Sequence, residues 1–274
     1  MASEPRSSSV NFIHNVERLD QHFLDPATTD SVVGAATILP SDIVLDIGAG
    51  NGILTSAILR RSPTHVLAIE PDRRCRSSLE RVQRNYPNLT IKLDRIQHIP
   101  RSDLSATSLI IANPPFSVLE HLPRLVRELP ALRQAIMCVG RRWAEAVTAT
   151  VGSPRYGVTS IAIQSRFSSR TVGVVDGSRF TPPIRRPAAL VEINRLPAPD
   201  PGLDLLAQAA LQNAGSRLKD LVRSERLRRA IGPDRQQTVL HDARLRGIQQ
   251  RRLRELTTDQ ISELATLLKP GAAD

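Results

Sequence analysis

Asp46-Ile-Gly-Ala-Gly-Asn-Gly52 joins a short apolar run, Ile43–Ile47, to a stretch with helical spacing over residues 53–61. Gly48 and Gly50 allow the backbone to come close to a ligand, where a Cβ atom would collide with it. The helix that follows offers its first amide groups to negative charge. Such a turn is compatible with a dinucleotide or with S-adenosylmethionine, and also with a tight turn that binds nothing.

Outward from this turn, short β-branched runs alternate with helical stretches over residues 30–195. This alternation predicts an α/β, Rossmann-like fold with a mostly parallel sheet and helices on both faces. Ser160–Gln164 and Ala189–Ile193 lack a long helix between them and complete a seven-stranded sheet with an antiparallel edge. The other predicted strands are Ile43–Ile47, His65–Ile69, Leu89–Leu93, Ser108–Ala112 and Gln134–Cys138, and the helices lie at 53–61, 73–85 and 118–130.

Charge and turn-forming residues divide the chain of 274 residues, whose net charge is +10. Twelve Arg or Lys residues and only four acids lie between Arg217 and Arg254, so this segment holds most of the excess charge. Turn formers at 197–202 precede apolar residues at helical spacing. We predict a flexible segment at 1–14, a cofactor-binding domain at 15–196, a linker at 197–202 and a basic helical domain at 203–274. The charge indicates a polyanionic partner.

The composition excludes several classes of protein. Hydrophobic residues make up 41% of the chain and charged residues 23%, which is typical of a globular protein and not of a disordered or collagen-like one. No apolar run approaches the roughly 20 residues that span a bilayer, and Met1–Val10 lacks the apolar core of a signal peptide. The spacing of Cys75 and Cys138 does not suit a metal site, and we predict that both are inert thiols. We expect a cytoplasmic monomer with no bound metal.

Three carboxylates at predicted strand ends favour S-adenosylmethionine over a dinucleotide. Asp46 would repel a pyrophosphate, but it suits the ammonium group of a methionine moiety. Glu70 follows the second strand, beside Pro71, and can accept hydrogen bonds from both ribose hydroxyl groups. Asp94 ends the third strand, where it can accept the adenine amino group while Ile96 lies against the ring.

Ala112-Asn-Pro-Pro-Phe116 follows the fourth predicted strand, so this loop is expected beside the cofactor at the carboxyl edge of the sheet. An adenine amine is a poor nucleophile because its lone pair is delocalised into the ring. The Asn113 side-chain carbonyl and the Pro114 main-chain carbonyl can accept its hydrogens and direct the lone pair at a sulfonium methyl group. Phe116 can stack on an extruded base, and Phe180, from a later loop, can cover its other face.

Together these residues resemble the rRNA adenine N6-dimethyltransferase family, which comprises KsgA-type housekeeping enzymes and Erm-type macrolide-resistance enzymes. Gln21–Leu24 looks like the family's Gln-Asn-Phe-Leu motif, Tyr156-Gly157 like its Tyr-Gly strand entry, and Phe180–Pro182 like its Phe-x-Pro loop. Over about residues 15–270, the resemblance implies a class I S-adenosylmethionine-dependent methyltransferase with a small C-terminal all-α domain. It implies catalytic roles for Asn113, Pro114 and Phe116, and cofactor contacts from Gln21, His22, Asp46, Gly48, Gly50, Glu70, Pro71, Asp94, Arg95, Ile96 and Asn113.

The sequence departs from the family pattern at several positions. His22 replaces Asn, and Pro114-Pro115 resembles methyltransferases that act on DNA or on protein glutamine. Ile184–Arg186 interrupts the usual Pro-x-Val, and Val139–Arg142 stands where many relatives have a Gln-Lys/Arg-Glu pattern. His22, Phe116 and the arginine-rich composition favour the Erm-type branch, which modifies 23S rRNA, over the KsgA-type branch, which modifies 16S rRNA.

Ribosomal RNA is expected to be held largely through its phosphates. The candidate contacts are arginines near the presumed pocket and in the basic tail: Arg141, Arg142, Arg185, Arg186, Arg217, Arg223, Arg228 and Arg251. Two other hypotheses stay open at this point. One is a methyltransferase for DNA adenine or protein glutamine, and the other is a non-catalytic nucleic-acid binder of the same fold, which the intact Asp46–Gly52, Glu70 and Asn113 disfavour.

Overall fold

The computed structural model describes residues 21–269. Within this range the strands are β1 (Phe23–Leu24), β2 (Ile43–Ile47), β3 (His65–Ile69), β4 (Leu89–Lys92), β5 (Leu109–Ala112), β6 (Gln134–Gly140), β7 (Phe167–Val175), β8 (Phe180–Thr181) and β9 (Ala188–Arg195). The helices are α1 (Pro26–Gly34), α2 (Ile53–Leu59), α3 (Arg76–Asn85), α4 (Arg101–Leu104), α5 (Leu122–Glu128), α6 (Arg141–Val147), α7 (Val158–Gln164), α8 (Pro201–Gln212), α9 (Leu218–Val222), α10 (Glu225–Ile231), α11 (Pro233–His241) and α12 (Thr258–Leu268).

A seven-stranded sheet has the strand order β4-β3-β2-β5-β6-β9-β7. β2 pairs in parallel with β3 on one side and β5 on the other, and β4 and β6 continue this parallel arrangement outward. Almost every residue of β2, β3 and β5 is buried, as expected of a parallel sheet covered on both faces. The predicted Rossmann-like α/β fold is confirmed, and strands β2 to β6 lie where the apolar runs predicted them.

The prediction of a strand at Ser160–Gln164 was wrong. This segment belongs to α7, and the strand at the sheet edge is β7 instead. The Gly157 N–H donates to Ser160 Oγ at 3.0 Å at the start of α7, so Tyr156-Gly157 introduces a helix and not a strand. A short apolar run does not distinguish a buried helix from a buried strand, and the mostly exposed residues of β7 gave no apolar pattern to detect.

The chain forms two compact units, each with its own apolar core. Within residues 21–269, the first unit contains 21–122, 128–141 and 171–192, and the second contains 123–127, 142–170 and 193–269. This division differs from the boundary predicted at 197–202. Ile161 and Tyr156, which precede that boundary, belong to the same apolar core as Leu206 and Leu264.

A partly buried ion cluster, in which Arg127 is buried, joins separate segments within the second unit. Arg127 lies 2.6 Å from one Asp204 oxygen, and Arg166 lies 2.7 Å from the other. The Arg127 guanidinium also donates to Ser165 Oγ at 2.5 Å. Because a buried charge is costly unless it is paired and hydrogen-bonded, this cluster fixes α8 against the segments that contain the two arginines.

The last described helix, α12, begins with a capping box. Thr257 Oγ1 accepts from the Gln260 N–H at 3.3 Å, and the Gln260 side chain accepts from the Thr257 N–H at 3.0 Å. No helix between residues 21 and 269 is both long and apolar enough to cross a membrane.

Candidate active site

The loops that follow β2 and β5 meet at one edge of the sheet. These strands are neighbours although two other strands separate them in the sequence, and ligands of α/β sheets bind at such a switch point. Gly48 has a φ of +78°, and a Cβ added there would lie 2.7 Å from Pro115 Cδ. At Gly50, with a φ of +55°, the Cβ would lie 2.5 Å from Phe23 Cε1. Both glycines are therefore required by the protein's own packing.

A cavity within the first unit opens between these loops. Its lining brings together most of the residues predicted for catalysis, base stacking and cofactor binding, and none of the predicted RNA-binding arginines. It also includes apolar residues that the sequence did not indicate, because these come close only through the order of the strands in the sheet. The lining residues are Gln21, His22, Phe23, Gly48, Gly50, Glu70, Pro71, Asn113, Pro114, Pro115, Phe116, Cys138, Val139, Phe180, Ile184 and Ala188.

Among residues 21–269, Glu70 is the acid that lines this cavity, and three donors hold its carboxylate. Its Oε2 accepts from the Gly50 N–H at 2.8 Å, and its Oε1 accepts from the Asp72 N–H at 2.7 Å. The Gln21 side chain donates to the same Oε1 over 3.4 Å, so Gln21 reaches the acid predicted for the ribose. Burial raises the pKa of Glu70, while these donors oppose the rise by stabilising the carboxylate.

Asp46 does not line the cavity. It is completely buried at the end of β2, where its Oδ2 accepts from Thr55 Oγ1 at 2.7 Å. Among residues 21–269, no group hydrogen-bonds to its Oδ1. Burial raises the pKa of Asp46 to about 7, because desolvation favours the neutral form of a carboxyl group. A buried acceptor without a partner is uncommon and suits an additional ligand or water.

The Asn113 carboxamide is fixed at its nitrogen end. Its Nδ2 donates to the backbone carbonyl of His22 at 2.7 Å. The His22 ring lies with Nδ1 2.8 Å from the Pro182 carbonyl oxygen, and the neighbouring residues pair as β1 and β8, with Phe23 opposite Thr181. Three segments that are distant in sequence are therefore linked here: the Asn113 loop contacts residue 22, and residues 22–24 contact residues 180–182.

The two predicted stacking residues differ in exposure. Phe116 is 45% exposed, and a Cβ added at Gly140 would lie 2.9 Å from its Cε1 atom. Phe180 is only 4% exposed, although it also lines the cavity. Gly140 was not predicted, but the unusual Val139–Arg142 segment was a signal at this position. The missing side chain at Gly140 leaves room for the Phe116 ring.

The structure does not place Asp94, Arg95 or Ile96 in the cavity lining. Asp94 is exposed, and its Oδ1 accepts from the Arg95 N–H at 2.7 Å and lies 2.9 Å from His98 Nδ1. The bond from the Arg95 N–H is the main cause that lowers the pKa of Asp94. Ile96 is buried in a 3₁₀ turn. The adenine contacts predicted for these three residues stay predictions.

The arginines predicted to bind RNA all lie at the surface. Arg228 forms an ion pair with Glu225 at 3.4 Å, and Arg217 donates to Gln250 at 2.7 Å. All eight of the predicted RNA contacts are exposed: Arg141, Arg142, Arg185, Arg186, Arg217, Arg223, Arg228 and Arg251. Among residues 21–269, no group of His, Cys, Asp and Glu side chains is arranged to hold a metal ion.

The strand order, the glycine turn after β2 and the carboxylate after β3 define a class I, S-adenosylmethionine-dependent methyltransferase. The structure is similar to the crystal structure of the 23S rRNA methyltransferase ErmE, with a TM-score of 0.62 over 90% of this chain and 99% of that chain. The sequence identity of the pair is 20%, so the likeness shows the fold alone.

Residues 14–208 match the family model described as ribosomal RNA adenine dimethylase. A relative in Acidothermus cellulolyticus, named ribosomal RNA small subunit methyltransferase A, is 32% identical over 223 residues, which are 77% of this chain and 73% of the relative. A relative of the same name in Neorickettsia sennetsu is 29% identical over 182 residues, which are 65% and 70% of the two chains. The chain belongs to the ribosomal RNA adenine dimethylase family and is an S-adenosylmethionine-dependent rRNA adenine methyltransferase.

Proposed function

We propose that this chain methylates the N6 amine of adenine in small-subunit ribosomal RNA. The two sequence relatives carry the name of a small-subunit enzyme, which supports the KsgA-type alternative over the Erm-type branch that the sequence favoured. The likeness to ErmE concerns the fold and gives no support to a 23S substrate. The description of the family as a dimethylase supports two transfers to one amine.

The residues around the cavity fit the methyl donor. S-adenosylmethionine supplies an electrophilic methyl group on a sulfonium ion. The Glu70 carboxylate would accept the ribose hydroxyl groups, and the long 3.4 Å contact from Gln21 is the bond that yields most easily. The Asp46 Oδ1, which has no donor among residues 21–269, would accept from a water that contacts the methionine ammonium. Asp94 stays the candidate for the adenine amino group.

The hydrogen bond that holds the Asn113 side chain is the observation on which the proposed reaction depends. Because its Nδ2 is bound to the His22 carbonyl, its Oδ1 is the end left to accept a hydrogen from the substrate amine. The Pro114 carbonyl would accept the second hydrogen, so that the lone pair points at the donor methyl group. Phe116 and Phe180 would hold the extruded base between two aromatic faces. Positioning and hydrogen bonding in a fixed site are sufficient to accelerate such a transfer.

The proposal is tested by methyl transfer from tritium-labelled S-adenosylmethionine to purified substrates. The substrates are small and large ribosomal subunits, their naked rRNAs, duplex DNA and a protein with accessible glutamine residues. Primer extension then locates the modified nucleotide, with the Asn113→Ala variant as the inactive control. We expect label in adenine of the small-subunit RNA.

Each of the other outcomes has a defined meaning. Label confined to large-subunit RNA contradicts the small-subunit proposal and supports the Erm-type alternative. Label only in DNA or protein contradicts an rRNA substrate and agrees with the double proline of the Asn113 loop. Absence of transfer to every substrate, with the cofactor bound, overturns the proposed activity.

A further inference from the structure

A short segment lines the cavity through Gln21, His22 and Phe23 and contacts Asn113. We call residues 21–25 the strap. It pairs with β8 through Phe23 and Leu24, and its end is tied to the neighbouring turn by the Asp25 N–H, which donates to the Arg179 carbonyl at 2.9 Å. An ion pair between Arg179 and the Asp25 side chain, at 3.2 Å, lies at the same place.

The strap selects one of the two orientations of the Asn113 carboxamide and so determines where its oxygen lies. A terminal amide has two nearly equivalent orientations, with a donor at one end and an acceptor at the other. The carbonyl of His22, 2.7 Å from Nδ2, accepts only from the amide nitrogen and therefore selects one orientation. In the reversed orientation two carbonyl oxygens would face each other, and the substrate amine would meet a donor in place of an acceptor.

The His22 side chain fixes the position of that carbonyl. Its Nδ1 lies 2.8 Å from the Pro182 carbonyl, and hydrogen bonding there requires the proton on Nδ1, because a carbonyl oxygen only accepts. This contact anchors residue 22 to the turn that follows β8, independently of the backbone pairing of Phe23 and Leu24. A chain of two hydrogen bonds thus runs from Pro182 through His22 to Asn113.

We infer that His22 is a positioning residue, which sets the orientation of Asn113 through its own carbonyl. The inference rests on the proposed role of Asn113 in amine methylation and assigns to His22 a function separate from cofactor binding. Asn and His each carry a nitrogen three bonds from Cα, so Asn at position 22 keeps a donor where the His ring now has Nδ1. Ala at position 22 keeps the carbonyl but removes the anchor.

The test compares His22→Ala and His22→Asn, with His121→Ala as a matched control at an exposed histidine outside the cavity lining. Single-turnover methylation is measured at saturating RNA and cofactor, and cofactor binding is measured by calorimetry. We expect His22→Ala to lower the rate about 10- to 100-fold, as for a displaced reacting group, with a dissociation constant within about threefold of the wild type. His22→Asn and His121→Ala are expected to stay within about threefold of the wild-type rate.

A second readout observes the carboxamide directly. The side-chain ¹H–¹⁵N resonances of Asn113, identified by their loss in Asn113→Ala, should shift and exchange faster with water in His22→Ala. They should keep the wild-type position in His22→Asn. This spectrum needs no RNA, so it tests the His22 contact even when the substrate is wrongly proposed.

Three results would overturn the inference. They are an unchanged methylation rate in His22→Ala, an unchanged Asn113 resonance in that variant, and a loss of cofactor affinity as large as the loss of rate. If His22→Ala does not fold, a rate in the folded His22→Asn variant far below the wild type has the same meaning. A wild-type protein that methylates no rRNA would contradict the proposed function, and the Asn113 resonances would still report on the His22 contact.

Discussion

Charged groups are buried and hydrogen-bonded in the cavity of the first unit, whereas they are exposed on the arginine-rich surface of the second unit. Glu70 is buried and has three donors at defined distances, whereas Arg223 and Arg251 are exposed to solvent. Burial makes each lost hydrogen bond expensive, while exposed charges are screened and act collectively. A single substitution in the cavity should therefore lower the methylation rate strongly, whereas several substitutions on the surface should be needed to weaken RNA binding to a similar degree.

The largest effect is expected from Asn113→Ala. This change removes the acceptor proposed for the substrate amine, and loss of one such group lowers a rate by about 10²- to 10³-fold. The cofactor dissociation constant should change little, because the Asn113 oxygen is proposed to face the substrate amine and the strap remains paired with β8. Single-turnover methylation and calorimetry measure the two quantities. Asn85→Ala, at an exposed position at the end of α3, is the control, and a fully active Asn113→Ala enzyme would refute the amine geometry.

Gly140→Ala should have the next largest effect. The new Cβ would lie 2.9 Å from the Phe116 ring, so the ring must move from its present position. We expect kcat/KM for RNA to fall about tenfold, since small displacements of a group that holds the reacting base are costly, with unchanged cofactor binding. Gly34→Ala is the control, because nothing lies within 4 Å of its added Cβ. Equal activity of the two variants would show that methylation does not depend on the position of the Phe116 ring against Gly140.

The dependence of stability on pH tests the burial of Asp46. Its pKa is raised by burial to about 7, whereas in the unfolded chain an aspartate ionises near pH 4. The folded state therefore binds the extra proton between about pH 4 and pH 7, and this contribution to stability is lost as the pH rises through that window. The melting temperature of the wild type, relative to Asp46→Asn, should fall by a few degrees between pH 5 and pH 8.

Comparison with Asp46→Asn isolates this carboxyl group. Burial also raises the pKa of Glu70, but Glu70 is present in both proteins and its effect largely cancels in the difference. Calorimetric melting curves at constant ionic strength measure the difference at each pH. A constant gap between the two proteins from pH 5 to pH 8 would show that Asp46 stays ionised throughout.

The smallest effect per residue is expected on the surface of the second unit. Replacing Arg223, Arg228 and Arg251 by Gln one at a time should weaken RNA binding about two- to threefold each, and the triple variant should show a shallower salt dependence. The matched control is a triple Gln variant of Arg76, Arg81 and Arg84, which removes the same charge from α3. Filter binding at several salt concentrations measures both, and identical behaviour of the two triples would exclude a specific role for the second unit.

The fold was largely predictable because its pattern is local. The β-branched runs gave the positions of β2 to β6, and the glycine turn gave the start of α2. The prediction was wrong at Ser160–Gln164, where a short apolar segment is buried as a helix. It also missed β7, whose exposed residues show no alternation. Whether such a short segment forms a helix or a strand depends on the residues that pack against it, and these lie elsewhere in the chain.

The candidate site was predictable where a motif follows a strand. Gly48, Glu70 and Asn113 reach the same cavity because parallel strands end at one edge of the sheet. The same reasoning predicted an adenine contact for Asp94, whose side chain contacts Arg95 and His98 and does not line the cavity, so that role stays a prediction. Nothing in the sequence indicated that His22 contacts Asn113.

The sequence by itself determined strands β2 to β6, the glycine turn and the chemical groups of the Asn113 loop, because periodicity and conformations with positive φ depend on a few adjacent residues. The tertiary structure decided how those groups are oriented. His22 and Asn113 are 91 residues apart, and Phe116 rests against Gly140 from another strand. Contacts of this kind form only when the order of the strands in the sheet brings distant segments together. They therefore depend on the packing of the whole sheet and not on adjacent residues.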